Sequence, residues 1–284
     1  MLNMTSTRGD AERRANGLEP LPAAAERKFF RRLLSEPPQD DEHRTIEIED
    51  GCPGDADGGG SRDPLKLVSY TVGIGKLRVH VCADLLGAWH GTTGSSLWAA
   101  GPALASYLLR SEAAPLHGAA VLELGAGLGV LGNALAAHGA GRVCLTDVPQ
   151  QVPLLRHNVA ANAGSRAAGC AVEAAPLVWG TRPLAEQFLR ARWDYIVGSD
   201  ICYDVEGWDA LAQTLSDLVP ADDGDVASHP KVFLAFPKRK IGQHLDYAGF
   251  LFSIQEQGFA AKQLTTVKGR AGESDVFRFQ RARR

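Results

Sequence analysis

Val121-Leu122-Glu123-Leu124-Gly125-Ala126-Gly127-Leu128-Gly129 carries an apolar strand straight into a glycine turn, and Val130-Leu131-Gly132 then opens a helix. Glycines at such a junction let the backbone approach a ligand closely. The segment predicts a strand over Ala119 to Leu124 and a helix from about Gly129 to His138. Downstream the pattern repeats, with a strand over Arg142 to Thr146, a helix from about Gln150 to Ala163 and strands over Cys170 to Ala175 and Trp193 to Gly198. A helix near Trp208 to Leu218, a strand over Val232 to Phe236 and a helix from about His244 to Gln257 follow. This is the βαβ rhythm of a parallel sheet with helices on both faces. Ala260 to Val267 and Val276 to Gln280 face each other across Lys268 to Gly272, an antiparallel pair at the sheet's end. Upstream, Leu65 to Val72 and Leu77 to Ala83 alternate as a hairpin, and Ser96 to Arg110 has helical spacing with Pro102 in its early part. The fold class is therefore α/β, a three-layer Rossmann-like arrangement around a mostly parallel sheet with a terminal antiparallel strand.

The chain has 284 residues, 45% hydrophobic and 22% charged, enough for one large domain and an appendage. Residues 1–62 read as a flexible extension, because their charged clusters and the run Cys52 to Ser61 bury little apolar surface. Phe29, Phe30, Leu33 and Leu34 give that extension one short amphipathic helix over Ala23 to Ser35. Residues 63–284 form the domain. A formal net charge of -3 supplies no global field for a nucleic-acid backbone. Five cysteines without a C-x-x-C pair argue against a disulfide framework and a zinc site and imply a reducing compartment, so no metal is expected. No apolar run reaches a membrane span, and the expected setting is cytoplasmic and also nuclear, without membrane or nucleic-acid partners and as a monomer.

The strand after the glycine loop ends in Leu145-Thr146-Asp147, where a carboxylate accepts hydrogen bonds from a ribose diol. Glycine loop and acid together make a nucleoside site. Gly127 to Gly132 also satisfies the dinucleotide fingerprint G-x-G-x-x-G, with Asp147 near the expected spacing of about 20 residues, so an NAD-linked oxidoreductase is the rival. Glu123 separates the two readings. Its charge repels a pyrophosphate at the helix N-terminus and suits a cofactor carrying an ammonium and a sulfonium, S-adenosylmethionine.

Trp193-Asp194-Tyr195-Ile196-Val197-Gly198-Ser199-Asp200-Ile201-Cys202-Tyr203 is a second strand with a polar end. With its D-x-x-Y signature at Asp200 to Tyr203, the chain resembles, over about residues 65 to 281, the seven-β-strand protein-lysine methyltransferases of methyltransferase family sixteen. Members of that family act on chaperones, elongation factors and other non-histone proteins. The resemblance implies a class I methyltransferase fold with a seven-stranded sheet, S-adenosylmethionine as cofactor and a protein as substrate. It also implies that Trp98, Gly125, Ala126, Gly127, Asp147, Trp179 and Ser199 contact the cofactor beside Glu123 and Gly129. Asp200 and Tyr203 are the expected catalytic pair. Asn158 reads as structural, Lys238, Arg239 and Lys240 as solvated charges, and acceptor choice as a property of loops such as Gly87 to Ser95. Acceptors other than lysine (arginine, a chain N-terminus, a small amine) and a non-catalytic binding module are the alternatives within the same fold.

Overall fold

The computed structural model describes residues 67–84, 93–219, 229–241, 244–245, 247–269 and 272–282. The extension over residues 1–62 with its amphipathic helix, and the greater part of the loop at residues 87–95, lie outside the described residues.

Five strands form the parallel part of the main sheet: β3 (Ala120–Leu124), β4 (Arg142–Asp147), β5 (Ala171–Pro176), β6 (Tyr195–Ser199) and β7 (Lys231–Pro237). Two long strands complete it, β10 (Phe259–Gly269) and β11 (Gly272–Arg281), in the order β10-β11-β7-β6-β3-β4-β5. The terminal strand β11 is antiparallel to both neighbours and lies one place in from the edge, which β10 takes. Ahead of the sheet, β1 (Leu67–Ile74) and β2 (Leu77–Asp84) make the expected hairpin, turning at Gly75 and Lys76. Two short strands, β8 (Lys240–Ile241) and β9 (His244–Leu245), pair with each other.

Central strands β3, β6 and β7 are buried along nearly their whole length, which is why they read as apolar runs and not as alternating ones. Edge strand β5 alternates between exposed and partly buried residues. On one face, α1 (Ala100–Ser111), α3 (Val130–His138) and α4 (Val152–Ala161) pack with the hairpin. Helix α3 is buried from Val130 through Ala136, caught between α1, the sheet and β2. The other face holds the short α5 (Glu186–Leu189), the amphipathic α6 (Trp208–Leu218) and α7 (Ala248–Glu256) over a core that includes Leu122, Leu124, Ile196, Leu234, Phe236 and Phe250. A single turn, α2 (Ala113–Leu116), links α1 to β3.

Strand β3 has β4 on one side and β6 on the other, so the connections depart in opposite directions from this pair of gaps. The carboxyl ends of β3, β4 and β6 therefore open into a crevice, the place where open α/β sheets bind ligands.

Candidate functional site

A cleft of about 520 Å³ occupies that crevice. Trp98, Glu123, Gly125, Ala126, Gly127, Asp147, Trp179, Ser199, Asp200 and Tyr203 all line it, so ten of the eleven residues singled out from sequence come together. Gly129 does not. It precedes α3 with its Cα turned toward Leu145, Leu155 and Asn133, and it serves the packing of the helix start.

Glu123 sits near the end of β3, 1% exposed, with its Oε2 accepting the Gly132 N–H at 2.9 Å. Helix starts leave their first N–H groups without backbone partners and carry partial positive charge. The chain's own carboxyl thus occupies the anion position where a dinucleotide-binding loop would seat its pyrophosphate. Burial pushes the Glu123 carboxyl up to about 8, with the Gly132 N–H pulling down and the charge of Asp147 adding to the rise. Asp147, at the end of β4, accepts N–H groups from Gly127 at 2.7 Å and Val148 at 2.8 Å. Burial raises this carboxyl as well, against the pull of those two bonds. Two carboxyl groups in one cleft, Glu123 buried and Asp147 partly buried, favour a cationic ligand over an anionic one.

The acceptor end is built by the turn after β6. Asp200 has φ 57, a left-handed conformation uncommon for a residue other than glycine, and its N–H is fixed to the Ala235 carbonyl at 2.9 Å. That turn drives the Ile201 side chain against Gly125 and Gly198. A Cβ on Gly125 would stand 2.6 Å from Ile201 and 3.1 Å from Trp179, so this first loop glycine is required by its protein neighbours as well as by any ligand. Tyr203 is 52% exposed at the rim, and its phenol oxygen accepts the Thr93 hydroxyl at 2.8 Å. Trp98 lies ahead of α1, not within it, and donates its indole N–H to the Thr93 carbonyl at 2.9 Å. Gln151, fully buried, donates to the carbonyls of Gly94 at 2.9 Å and Gly127 at 3.2 Å, tying the Thr93–Ser95 turn to the glycine loop.

The structure corrects the reading of Arg239 as a solvated charge, whereas Lys238 is exposed, as expected, with acidic neighbours. Lys238 lies 3.4 Å from both Glu273 and Asp275. The guanidinium of Arg239 pairs with Asp200 Oδ1 and lies over the Trp98 ring, 5.3 Å from its centroid. Lys240 begins β8. Arg239 was within reach of a sequence argument: Asp200 follows β6 and the basic run follows β7, so if these strands are neighbours a buried acid meets a nearby base. Thr93 and Gln151 carry no comparable signal, since each acts through a contact made only after folding.

Asn158 also has a defined role. From α4 it accepts the Cys82 N–H at 2.7 Å and donates to the carbonyls of Cys82 at 3.0 Å and Leu128 at 3.2 Å. Asn162 treats His80 the same way, at 2.9 Å and 2.6 Å.

The model of the lysine methyltransferase family matches residues 84–248, more than half of the chain. EEF1A lysine methyltransferase 3 of Mus musculus is 35% identical over 124 residues, 43% of this chain and 49% of that protein. Protein N-lysine methyltransferase METTL21A of Mus musculus is 35% identical over 122 residues, 43% of this chain and 54% of that one. The chain thus spans about half the length of these curated relatives. Magnesium protoporphyrin IX methyltransferase from Synechocystis PCC 6803, solved with bound SAH, is 19% identical with a TM-score of 0.43 over 63% of this chain and 80% of its own.

Proposed function

Because the chain belongs to the lysine methyltransferase family, whose model spans residues 84–248, we propose that it transfers a methyl group from S-adenosylmethionine to a lysine side chain of a non-histone protein. The observation that carries this reading is one cleft that holds the buried carboxyl of Glu123 and the partly buried carboxyl of Asp147 at one end and the Asp200 to Tyr203 turn at the other. Bound S-adenosylmethionine supplies an electrophilic methyl group on a sulfonium.

The residues present fit that cofactor. A volume of about 520 Å³ lies within the range of small-molecule sites. Glu123 is a buried acid whose ionised form a cation would stabilise, Asp147 has its carboxyl at the strand end where a ribose diol is held, and Trp98 and Trp179 supply apolar walls. The same features disfavour NAD, because Glu123 already fills the helix N-terminus that a pyrophosphate needs.

At neutral pH a lysine with a pKa near 10.4 is only about one part in a thousand neutral, a deficit of about 4 kcal/mol before any bond is made. The chain's task is to hold the acceptor nitrogen in line, at about 3 Å from the methyl group, and to let its proton go to water. Asp200 orients the nitrogen, and Tyr203 flanks the lysine stem from the rim with its ring. Protein acceptors are supported by the relatives' own activities and by the net charge of -3, which offers no general attraction to a polyanion. Incubation of the full chain with methyl-labelled S-adenosylmethionine and a cell lysate, followed by mass spectrometry, tests the reading. Label on lysine supports it, and label confined to arginine, N-termini or small amines overturns the acceptor.

A further inference from the structure

Asp200 as a bare carboxylate works against the reaction. It binds an incoming ammonium well, yet an unshared negative charge in contact raises a lysine pKa by about one to three units and makes the nucleophile scarcer. Asp200 is not bare. Its carboxylate, 3% exposed, is paired with the Arg239 guanidinium, which extends from just beyond β7 and is 35% exposed. Strands β6 and β7 run parallel with Ser199 opposite Ala235, so the two residues are delivered side by side by the sheet itself. The guanidinium is held on its other side by the face of Trp98, whose indole is anchored on Thr93. Among the described residues, the titratable groups around this seat include Tyr203 and Asp204 from the same turn, with Asp147 acting on Tyr203 from β4 and Glu123 lining the cleft from β3.

Arginine stays charged across the whole working range of pH. A carboxylate offers about four lone-pair sites, so pairing with one guanidinium cancels its charge without exhausting its capacity to accept hydrogen bonds. Resting on the lysine methyltransferase reading above, we propose that Arg239 is a positioning residue of the acceptor site. By balancing the charge of Asp200 it makes the pair receive a lysine as the neutral amine in preference to trapping it as the ammonium.

The test uses n-butylamine, the end of a lysine side chain, titrated by nuclear magnetic resonance into the full chain with S-adenosylhomocysteine present. Between about pH 7.5 and about pH 9.5 the neutral fraction of such an amine grows by nearly a hundredfold. Wild-type affinity for total amine is expected to rise by more than about thirtyfold over that interval. R239Q leaves Asp200 unbalanced, favours the ammonium and is expected to rise less than about threefold, while R239K retains the positive charge and restores the steep profile. Equal profiles for wild type and R239Q, with equal melting temperatures, overturn the proposal. Should R239Q not fold, the wild-type profile decides: a flat one overturns the role of Arg239, and a steep one shared with R239K supports it. The lysate labelling separates the two levels, since failure to label any lysine removes the proposed function, whereas lysine labelling with a flat wild-type amine profile removes only the role of Arg239.

Discussion

Glu123 is a carboxyl kept away from water, and burial first, then the neighbouring Asp147, sets it at about 8 in the folded chain against 4.5 for an ordinary glutamate. The folded state therefore holds a proton that the unfolded state has lost, so stability is present below about pH 4.5 and declines as pH rises toward about 8. E123Q keeps an oxygen for the Gly132 N–H and never ionises. It is expected to melt near wild type at about pH 4.5 and to exceed it at about pH 8 by an amount on the order of 3 kcal/mol, measured by thermal unfolding of the ligand-free protein. A cation seated in the cleft favours the ionised form, so S-adenosylmethionine binding at about pH 7 should release about one proton, read as a buffer-dependent heat in calorimetry and abolished in E123Q. At the acceptor end, D200N should lower turnover by about a hundredfold or more while S-adenosylmethionine affinity stays within a few fold; equal loss of both would make Asp200 a cofactor or folding residue. The place of Glu123 was legible from its position relative to the glycines, whereas the burial that raises its carboxyl came only with folding. Arg239 was legible only on the condition that β6 and β7 are neighbours, because its partner lies 39 residues away and meets it through strand pairing.

Helix α4 holds the hairpin by side-chain amides. Asn158 and Asn162 each pair with both the N–H and the carbonyl of a β2 residue, as a neighbouring strand would. Asn158 reaches Leu128 in the glycine loop as well, so one side chain joins hairpin, helix and loop. N158A leaves buried backbone groups at Cys82 and Leu128 without this partner, and a loss of about 2–4 kcal/mol is expected in chemical unfolding. Amide exchange should accelerate at Cys82 more than at His80, which Asn162 still holds. Asparagine inside a helix signals a side chain with a separate task, yet the identity of the task depends on β2, 76 residues upstream. Local pattern served better for whole elements. The strand–helix alternation from Ala119 matched the observed order of the long elements, because the central strands are buried on both faces, but the helix expected from about His244 starts at Ala248, since His244–Leu245 pairs with Lys240–Ile241 as a short strand. The start of α1 came late, at Ala100 and not Ser96, because Thr93–Ser95 forms its own turn, from which Thr93 holds the Trp98 indole. The single-turn helices α2 and α5 are too short to show a period at all.

Across the whole molecule, the central position of β3 gathers a glycine loop, two acids and the Asp200 turn around one crevice, although these features span residues 123–203 of the chain. S-adenosylhomocysteine at a hundredfold excess over its dissociation constant should stabilise the folded chain by about 2.7 kcal/mol in a thermal shift assay, with NAD leaving the transition unmoved. The reverse pattern would replace the cofactor. The hydrogen bond from Thr93 to Tyr203 joins the two banks of the crevice above its floor. On the proposed function, a nucleoside seated beneath that bridge would leave only after the bridge had opened, and the acceptor would rest against Tyr203. Traffic through the crevice would then be ordered, with the small molecule boarding first and disembarking last and a docked acceptor barring the exit. Steady-state inhibition by S-adenosylhomocysteine, competitive toward the methyl donor and noncompetitive toward the protein, is the kinetic signature of that sequence.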